Sequence, residues 1–484
     1  MIFNSMTFAV FFAVFFLLYW LACARSQRAQ NLLVLAGSYV FYAWGDWRLL
    51  PLLIGNSVVF YLLGVALDTP KDERRRAWLM ALGLTVGLGG LIFFKYAAFL
   101  EEVIVHALAV YGVTLHSSSM RFVLPLGISF YTFRNLSYLF DVHDGKQEAT
   151  RDWLTYFSYV AFFPCVISGP IDRPKKLIPQ LERTRVFDYE QACDGMRRMV
   201  WGLFKKVVIA DNCAAVTDVI FSDYRNLPPS SLLLGAFLYT IQLYTDFSGY
   251  SDIAIGAAQL LGFKVTNNFN YPFFSQNIAE FWRRWHISLT SWLTEYVFTP
   301  LSIAMRDLGK LGVILAVLVN FTLIGIWHGA NWTFILFGFL HGCFFIPLIL
   351  RGTLNRRIEI PTGRRIPSAA EARNMFLTFL LVMFTFILIR TASVEEAALF
   401  MQRLASPGLL SWPVVQRYAA TTACVFALAQ ILILVEWLNR DKPYAVSTVA
   451  LNWPRPLRWS FYYTIFLTVF LAAEKGQNFI YFQF

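Results

Sequence analysis

Two histidines carry the chemistry open to this sequence. His328 lies at the centre of Ile326–Trp332 (IWHGANW), within forty residues, Leu311–Leu350, that contain no Asp, Glu, Lys or Arg. His286 lies forty-two residues earlier, and both histidines have Trp and hydroxyl or amide side chains around them. A neutral imidazole, with a reference pKa of ~6.5, accepts a hydroxyl proton near neutral pH. A second imidazole can orient the first or share its charge. Trp walls and apolar helices exclude the water that would otherwise hydrolyse an activated acyl donor. Acyl transfer to an alcohol fits this pair. An ionisable side chain in such apolar surroundings is functional by default, whereas the bland reading of His328 is a cap at a turn.

Other chemistries find less support. No GxGxxG follows a strand, and there is no P-loop or GxSxG elbow. His286, His328 and His341 lack the spacing of HExxH, so no metal is expected. His341 reads as packing or pore lining; His106, His116 and His143 read as solvated surface residues. The six cysteines form no CxxC and read as packing residues. Asp246 and Asp252 interrupt an apolar stretch and need partners there. Structural pairing with Arg or backbone donors is the first reading, a part in the active-site scaffold the second.

The elements that must hold these residues are membrane helices. Hydrophobic residues make up 57% of the 484, and the charged 15% fall in clumps between long uncharged runs, the pattern of an all-α, multi-pass membrane protein. The net charge of +11 is explained by cationic loops facing anionic lipid, not by nucleic acid. Met6–Cys23 reads as a retained helix, since it lacks a basic leader and a cleavage site. As one straight helix Leu311–Leu350 would reach ~60 Å, twice a bilayer core of ~30 Å, so it must fold back at Gly329, Ala330 and Asn331. Further spans are expected over Asn31–Gly45, Leu49–Leu67, Ala77–Phe94, Phe122–Phe140, Val207–Phe221, Leu232–Thr245, Asn374–Ile389, Tyr418–Val435 and Trp459–Ala473. Trp153–Ile171 should be kinked or re-entrant at Pro164 and Pro170. Asn277 and Glu280 have capping-box spacing and open an expected amphipathic helix from Ile278 to about Val297. Trp282, His286, Leu289 and Leu293 would share one face of it, and Arg284, Ser288, Ser291 and Glu295 another. The nine basic residues from Arg173 to Lys206 mark a cytoplasmic face, or a docking surface for an acidic partner. The count is about eleven crossings plus re-entrant or interfacial helices in a single domain, 1–484. The positive-inside rule places both termini and the His328 turn outside, and the Arg74 and Arg364 loops inside.

Four runs now carry a resemblance: Leu243–Gly256 (LYTDFSGYSDIAIG), Asn268–Phe273 (NFNYPF), Glu280–Leu289 (EFWRRWHISL) and Trp327–Ala330 (WHGA). In this order and spacing they resemble the membrane-bound O-acyltransferase family, and within it the bacterial branch that includes the alginate O-acetyltransferase membrane subunit. Teichoic-acid D-alanyl-transfer proteins are more distant relatives. Ser38–Trp44 (SYVFYAW) and the terminal Tyr481–Phe484 (YFQF) extend the likeness over the whole chain. It implies a helical ring around a thinned membrane centre with a tunnel between the two sides. It makes His328 the catalytic residue and His286 the second, and Trp327, Asn331, Trp282, Trp285, Arg284, Asp246, Asn268 and Tyr250 are the expected substrate-binding or tunnel residues. No cofactor would be held permanently; the donor would be acetyl-CoA or an acyl carrier protein. Expected partners are a polysaccharide acceptor, periplasmic acetyl-relay or acetyltransferase proteins, and membrane lipids, in a bacterial inner membrane. Many alginate-type members carry a Gly-Gly-Asn-Arg-like step where this chain has Pro300–Arg306 (PLSIAMR), so alginate itself does not follow as the acceptor. A transporter or flippase using Asp246, Asp252 and the histidines is the alternative, but no repeated halves with matching broken helices are visible. A non-catalytic scaffold for an extracytoplasmic transferase is the third reading; both histidines being intact speaks against it.

Overall fold

The computed structural model describes residues 1–68, 72–113, 124–356, 364–413, 419–472 and 479. Among these there are helices and no strands. His116 and Tyr481–Phe484 lie outside the described residues. The chain divides into two compact units, Met1–Cys193 with Ala257–Thr266, and Asp194–Gly256 with Asn267–Phe484.

The first unit contains α1 (Met6–Leu17), α2 (Gln27–Ala43), α3 (Leu50–Asp68), α4 (Glu73–Leu91), α5 (Ala97–Val110), α6 (Ile128–His143), α7 (Trp153–Ala161), α8 (Phe163–Val166) and α9 (Pro174–Leu181). A π-helical turn, Leu18–Ala22, prolongs α1, and another, Ile92–Tyr96, joins α4 to α5, so His106 rides on a continuous helix and not in a loop. His106 is exposed and His143 half-exposed, as solvated histidines should be. The kink expected in Trp153–Ile171 falls between α7 and α8. The carbonyls of Tyr159 and Val160, left open by the break, accept hydrogen bonds from Arg134 Nη1 at 2.9 and 3.2 Å. Within the expected span Phe122–Phe140, α6 is buried along nearly its whole length, with Arg134 and Asn135 fully enclosed.

The second unit takes up α10 (Tyr189–Leu203) from Asp194 onward, a π-helical segment Phe204–Ala210, and α11 (Asp211–Ser222). Then come α12 (Pro229–Leu260), as far as Gly256, and α13 (Ile278–Arg284), α14 (Ile287–Leu293), α15 (Thr299–Ala304), α16 (Lys310–His328), α17 (Trp332–Leu350), α18 (Ala369–Arg390), α19 (Val394–Leu404), α20 (Ala419–Leu438) and α21 (Arg455–Ala472). The expected hairpin is α16 and α17. They meet backbone to backbone: a Cβ on Gly325 would lie 2.1 Å from the Phe334 carbonyl oxygen, and one on Gly338 2.2 Å from that of Phe321. At the open end Lys310 Nζ donates to the Leu350 carbonyl at 2.9 Å.

Within this unit α12 is anchored by buried charge. Asp252 pairs with Arg198 Nε at 2.8 Å and Lys205 Nζ at 2.7 Å, while Lys206 Nζ lies 2.6 Å from Asp246 and 2.8 Å from Asp211. Gly202 and Gly249 let α10 and α12 approach closely enough for these short pairs, since a Cβ on either would strike the other's carbonyl oxygen within 2.7 Å. Structural pairing is therefore the role the structure gives both aspartates. It also corrects the reading of the basic run as one exposed patch: Arg185, Arg198, Lys205 and Lys206 are buried, and Lys176 is shared between Asp172 and Thr266.

By length and composition six helices can cross a membrane among the described residues: Trp47–Asp68, Glu73–Val110, Lys310–His328, Trp332–Leu350, Ala369–Arg390 and Ala419–Leu438. Met6–Ala22 is apolar but shorter. Other elements read as crossings, such as α2, α6 and α12, spend their buried surface on polar groups: Asn31, Arg134, Asp246.

Candidate active site

The site is built in the second unit on the turn of the hairpin. His328 ends α16, and Gly329 turns the chain out into extended backbone. Asn331 opens α17 by accepting the Thr333 N–H at 3.1 Å, and its Nδ2 donates to the Ala392 carbonyl at 2.8 Å, which ties the turn to the segment after α18. His328 is thus held at a helix end between two fixed points, with 6% of its surface exposed.

His286 is presented differently. The single helix expected over Ile278–Val297 does not form; it breaks at His286, which adopts a left-handed conformation, φ 45° and ψ 52°. A non-glycine residue in that region costs about 1–3 kcal/mol and is found where surroundings enforce it. The predicted face of Trp282, His286, Leu289 and Leu293 is lost with the break. Asn277 caps α13 as expected, accepting the Glu280 N–H at 2.9 Å, but Glu280 answers at the Gln276 N–H (2.8 Å), one residue earlier than a capping box requires.

The break swings His286 inward, fully buried. Its ring stands edge-on to Phe247 of α12 at 4.6 Å and lies 5.5 Å from Trp327, whose indole is in turn 5.0 Å from His328. Trp327 therefore neighbours both imidazoles. The line of rings continues from His328 to Phe337 (6.2 Å), His341 (4.4 Å) and Trp282 (5.2 Å). His286 lies outside the six candidate spans. Burial, and then repulsion from His328 when that ring is protonated, hold its imidazole well below the usual histidine range, so it is neutral at physiological pH.

The remaining predicted residues separate by role. Trp282 Nε1–H donates to His341 Nδ1 at 3.1 Å, and His341 Nε2 meets Thr385 Oγ1 at 2.9 Å. With Nδ1 accepting, Nε2 carries the proton and donates, so both ring nitrogens are engaged in packing α13, α17 and α18 together. Trp285 belongs to an aromatic cluster, stacked on Phe281 at 5.4 Å and edge-on to Phe269 at 5.1 Å. Arg284 is held by Glu280 at 2.7 Å. Asp246 is held by Lys206. Tyr250 stacks on Phe479 at 4.5 Å, and Phe479 also neighbours Phe247. Asn268 is joined to Ser251 and Ser288 beside the His286 turn. Two residues that the sequence reading passed over also belong here. Phe247 walls His286, and Glu436, buried on α20, accepts the Tyr244 hydroxyl at 2.8 Å. A lone carboxylate in the apolar Ala419–Leu438 was the available signal for the second; its place in the Leu243–Gly256 run was the signal for the first.

An all-helical membrane chain with two buried histidines set about a tryptophan at a hairpin turn belongs to a known class: residues 149–391 match the membrane-bound O-acyltransferase family, and the chain belongs to that family. It is an O-acyltransferase, and the transporter and scaffold readings give way to that. Among its relatives, the probable alginate O-acetylase AlgI of Pseudomonas putida is 33% identical over the full length of both chains. The peptidoglycan O-acetyltransferase of Helicobacter pylori is 34% identical over 71% of this chain and 69% of its own. The teichoic acid D-alanyltransferase of Bacillus subtilis is 31% identical over 47% and 59%, respectively.

Proposed function

We propose that this protein is an O-acetyltransferase of a bacterial inner membrane that passes acetyl groups from a cytoplasmic thioester towards an exported polysaccharide. The donor is acetyl-CoA or an acyl carrier protein; the acceptor is a glycan hydroxyl or the serine of a periplasmic relay protein. His328 takes the proton of the accepting hydroxyl as its oxygen attacks the thioester carbonyl. The carbon–sulfur bond then breaks, and the thiolate leaves with that proton. His286, neutral and packed against the same indole, fixes the orientation of the reacting groups, and the scheme needs no metal ion. The observation that carries this reading is that two buried imidazoles, His328 at the hairpin turn and His286 at the α13–α14 break, both lie against Trp327. Relatives named for acetylating alginate and peptidoglycan support acetyl as the group transferred and a cell-envelope polymer as its destination.

Inverted membrane vesicles containing the protein, with labelled acetyl-CoA outside and an O-unmodified polysaccharide with its relay protein inside, test the scheme. Label should accumulate as ester inside the vesicles. Thioester loss no faster than in vesicles lacking the protein, with acetyl-CoA and with acetylated carrier protein alike, would overturn it.

A further inference from the structure

The left-handed turn at His286 needs something to hold it, and one side chain is placed to do so. His286 occupies the N-cap position of α14, yet its side chain does not cap that helix. The first backbone N–H groups of a helix have no partner within it and are normally met by the N-cap side chain. Here they are met from another segment. The Asn268 main-chain carbonyl accepts the Ile287 N–H at 2.9 Å. Asn268 Oδ1 accepts the Ser288 N–H at 3.3 Å and the Ser288 hydroxyl at 2.7 Å. A backbone N–H can only donate, which fixes the amide orientation and turns Nδ2 towards Ser251 Oγ, 3.2 Å away on α12. Asn268 is itself buried. A second strap runs beside it, from the Asn270 N–H to the Arg284 carbonyl at 2.9 Å.

We infer that Asn268 is the positioning residue of His286: it caps α14 in trans and so releases the imidazole from capping duty to face Phe247 and Trp327. α12 is the base of this device, because the Arg198 and Lys205 pairs on Asp252 fix the register of Ser251, the adjacent residue. Asn268 then acts on the reaction only through the orientation of His286 and touches no substrate. This rests on the role given to His286 above.

The test is a double-mutant cycle of Asn268→Ala and His286→Ala, read as initial rates of acetyl transfer over a range of acceptor concentrations. A misplacement of about 1 Å can cost on the order of 10²-fold. Asn268→Ala should therefore lower kcat by about 10- to 100-fold with KM unchanged, and cause no further loss once His286 is alanine. Ser288→Ala, which keeps the backbone bond and should fold where Asn268→Ala does not, should show a smaller loss that likewise disappears in the His286→Ala background. Equal losses with and without His286 would overturn the inference and make Asn268 a structural residue. A raised KM in both backgrounds would overturn it in favour of substrate contact. Full activity of His286→Ala would remove the role of His286 itself, and the inference with it.

Discussion

At the residue scale one aromatic side chain, Trp327, lies against both imidazoles, and others merely pack. Trp327 lies against both rings, so Trp327→Ala should lower turnover by about 10- to 100-fold in a folded protein, and Trp327→Phe by less, since a smaller ring still packs against His286 and His328. Equal activity of wild type and Trp327→Ala would contradict this. His341 is a packing residue by the same geometry. His341→Ala leaves the Trp282 N–H buried without its acceptor, at a cost of about 1–3 kcal/mol. It should lower the melting temperature while the folded fraction turns over normally; the reverse pattern would make His341 catalytic. The sequence marked His328 and His286 because imidazoles stand out in apolar, Trp-rich surroundings. It did not show how His286 is presented. A left-handed histidine carries no local signal, and the hydrogen bonds that hold it come from Asn268, which lies in a different segment and reaches the turn only through the fold.

At the element scale two contacts set the geometry. The hairpin closes where Gly325 and Gly338 put backbone against backbone, and the atoms facing a Cβ at Gly338 are main-chain atoms that cannot swing aside. Gly338→Val should destabilise by about 1–3 kcal/mol or more, seen as a lower melting temperature in detergent, and should cost activity because His328 sits on that hairpin. An unchanged melting curve would show that the helices can separate freely. The buried charge cluster is the other contact. Asp252→Asn leaves Arg198 and Lys205 buried with half their partnership gone, a loss of about 3–5 kcal/mol. A change as small as that of the exposed Asp307→Asn would contradict the pairing. The hairpin was readable because forty uncharged residues exceed one bilayer crossing. The cluster was not: Arg198 and Asp252 are far apart in sequence, and counting cations by loop assigned Arg198, Lys205 and Lys206 to a surface. Only the close approach at Gly202 and Gly249 brings them to their carboxylates.

At the scale of the whole molecule, long apolar runs and clumped charges announced a helical membrane protein, and helices such as Ala369–Arg390 and Ala419–Leu438 lie close to where hydropathy put them. Helices that bury polar groups inside the protein, α6 above all, looked like interrupted spans because sequence alone does not say whether a face meets lipid or protein. The positive-inside rule sets the direction of the chain. Cysteines introduced at Leu308 and at Ser393 in a cysteine-free background should be labelled from the cytoplasmic and the outer side, respectively. The opposite labelling would invert the proposed path of the acyl group. The proposed base, His328, is tested by the rate of acetyl ester formation by reconstituted His328→Gln beside wild type at matched insertion and melting temperature. The expected fall is ~10²–10⁴-fold, the usual consequence of losing a positioned base. A folded His328→Gln protein that acetylates at the wild-type rate would contradict it.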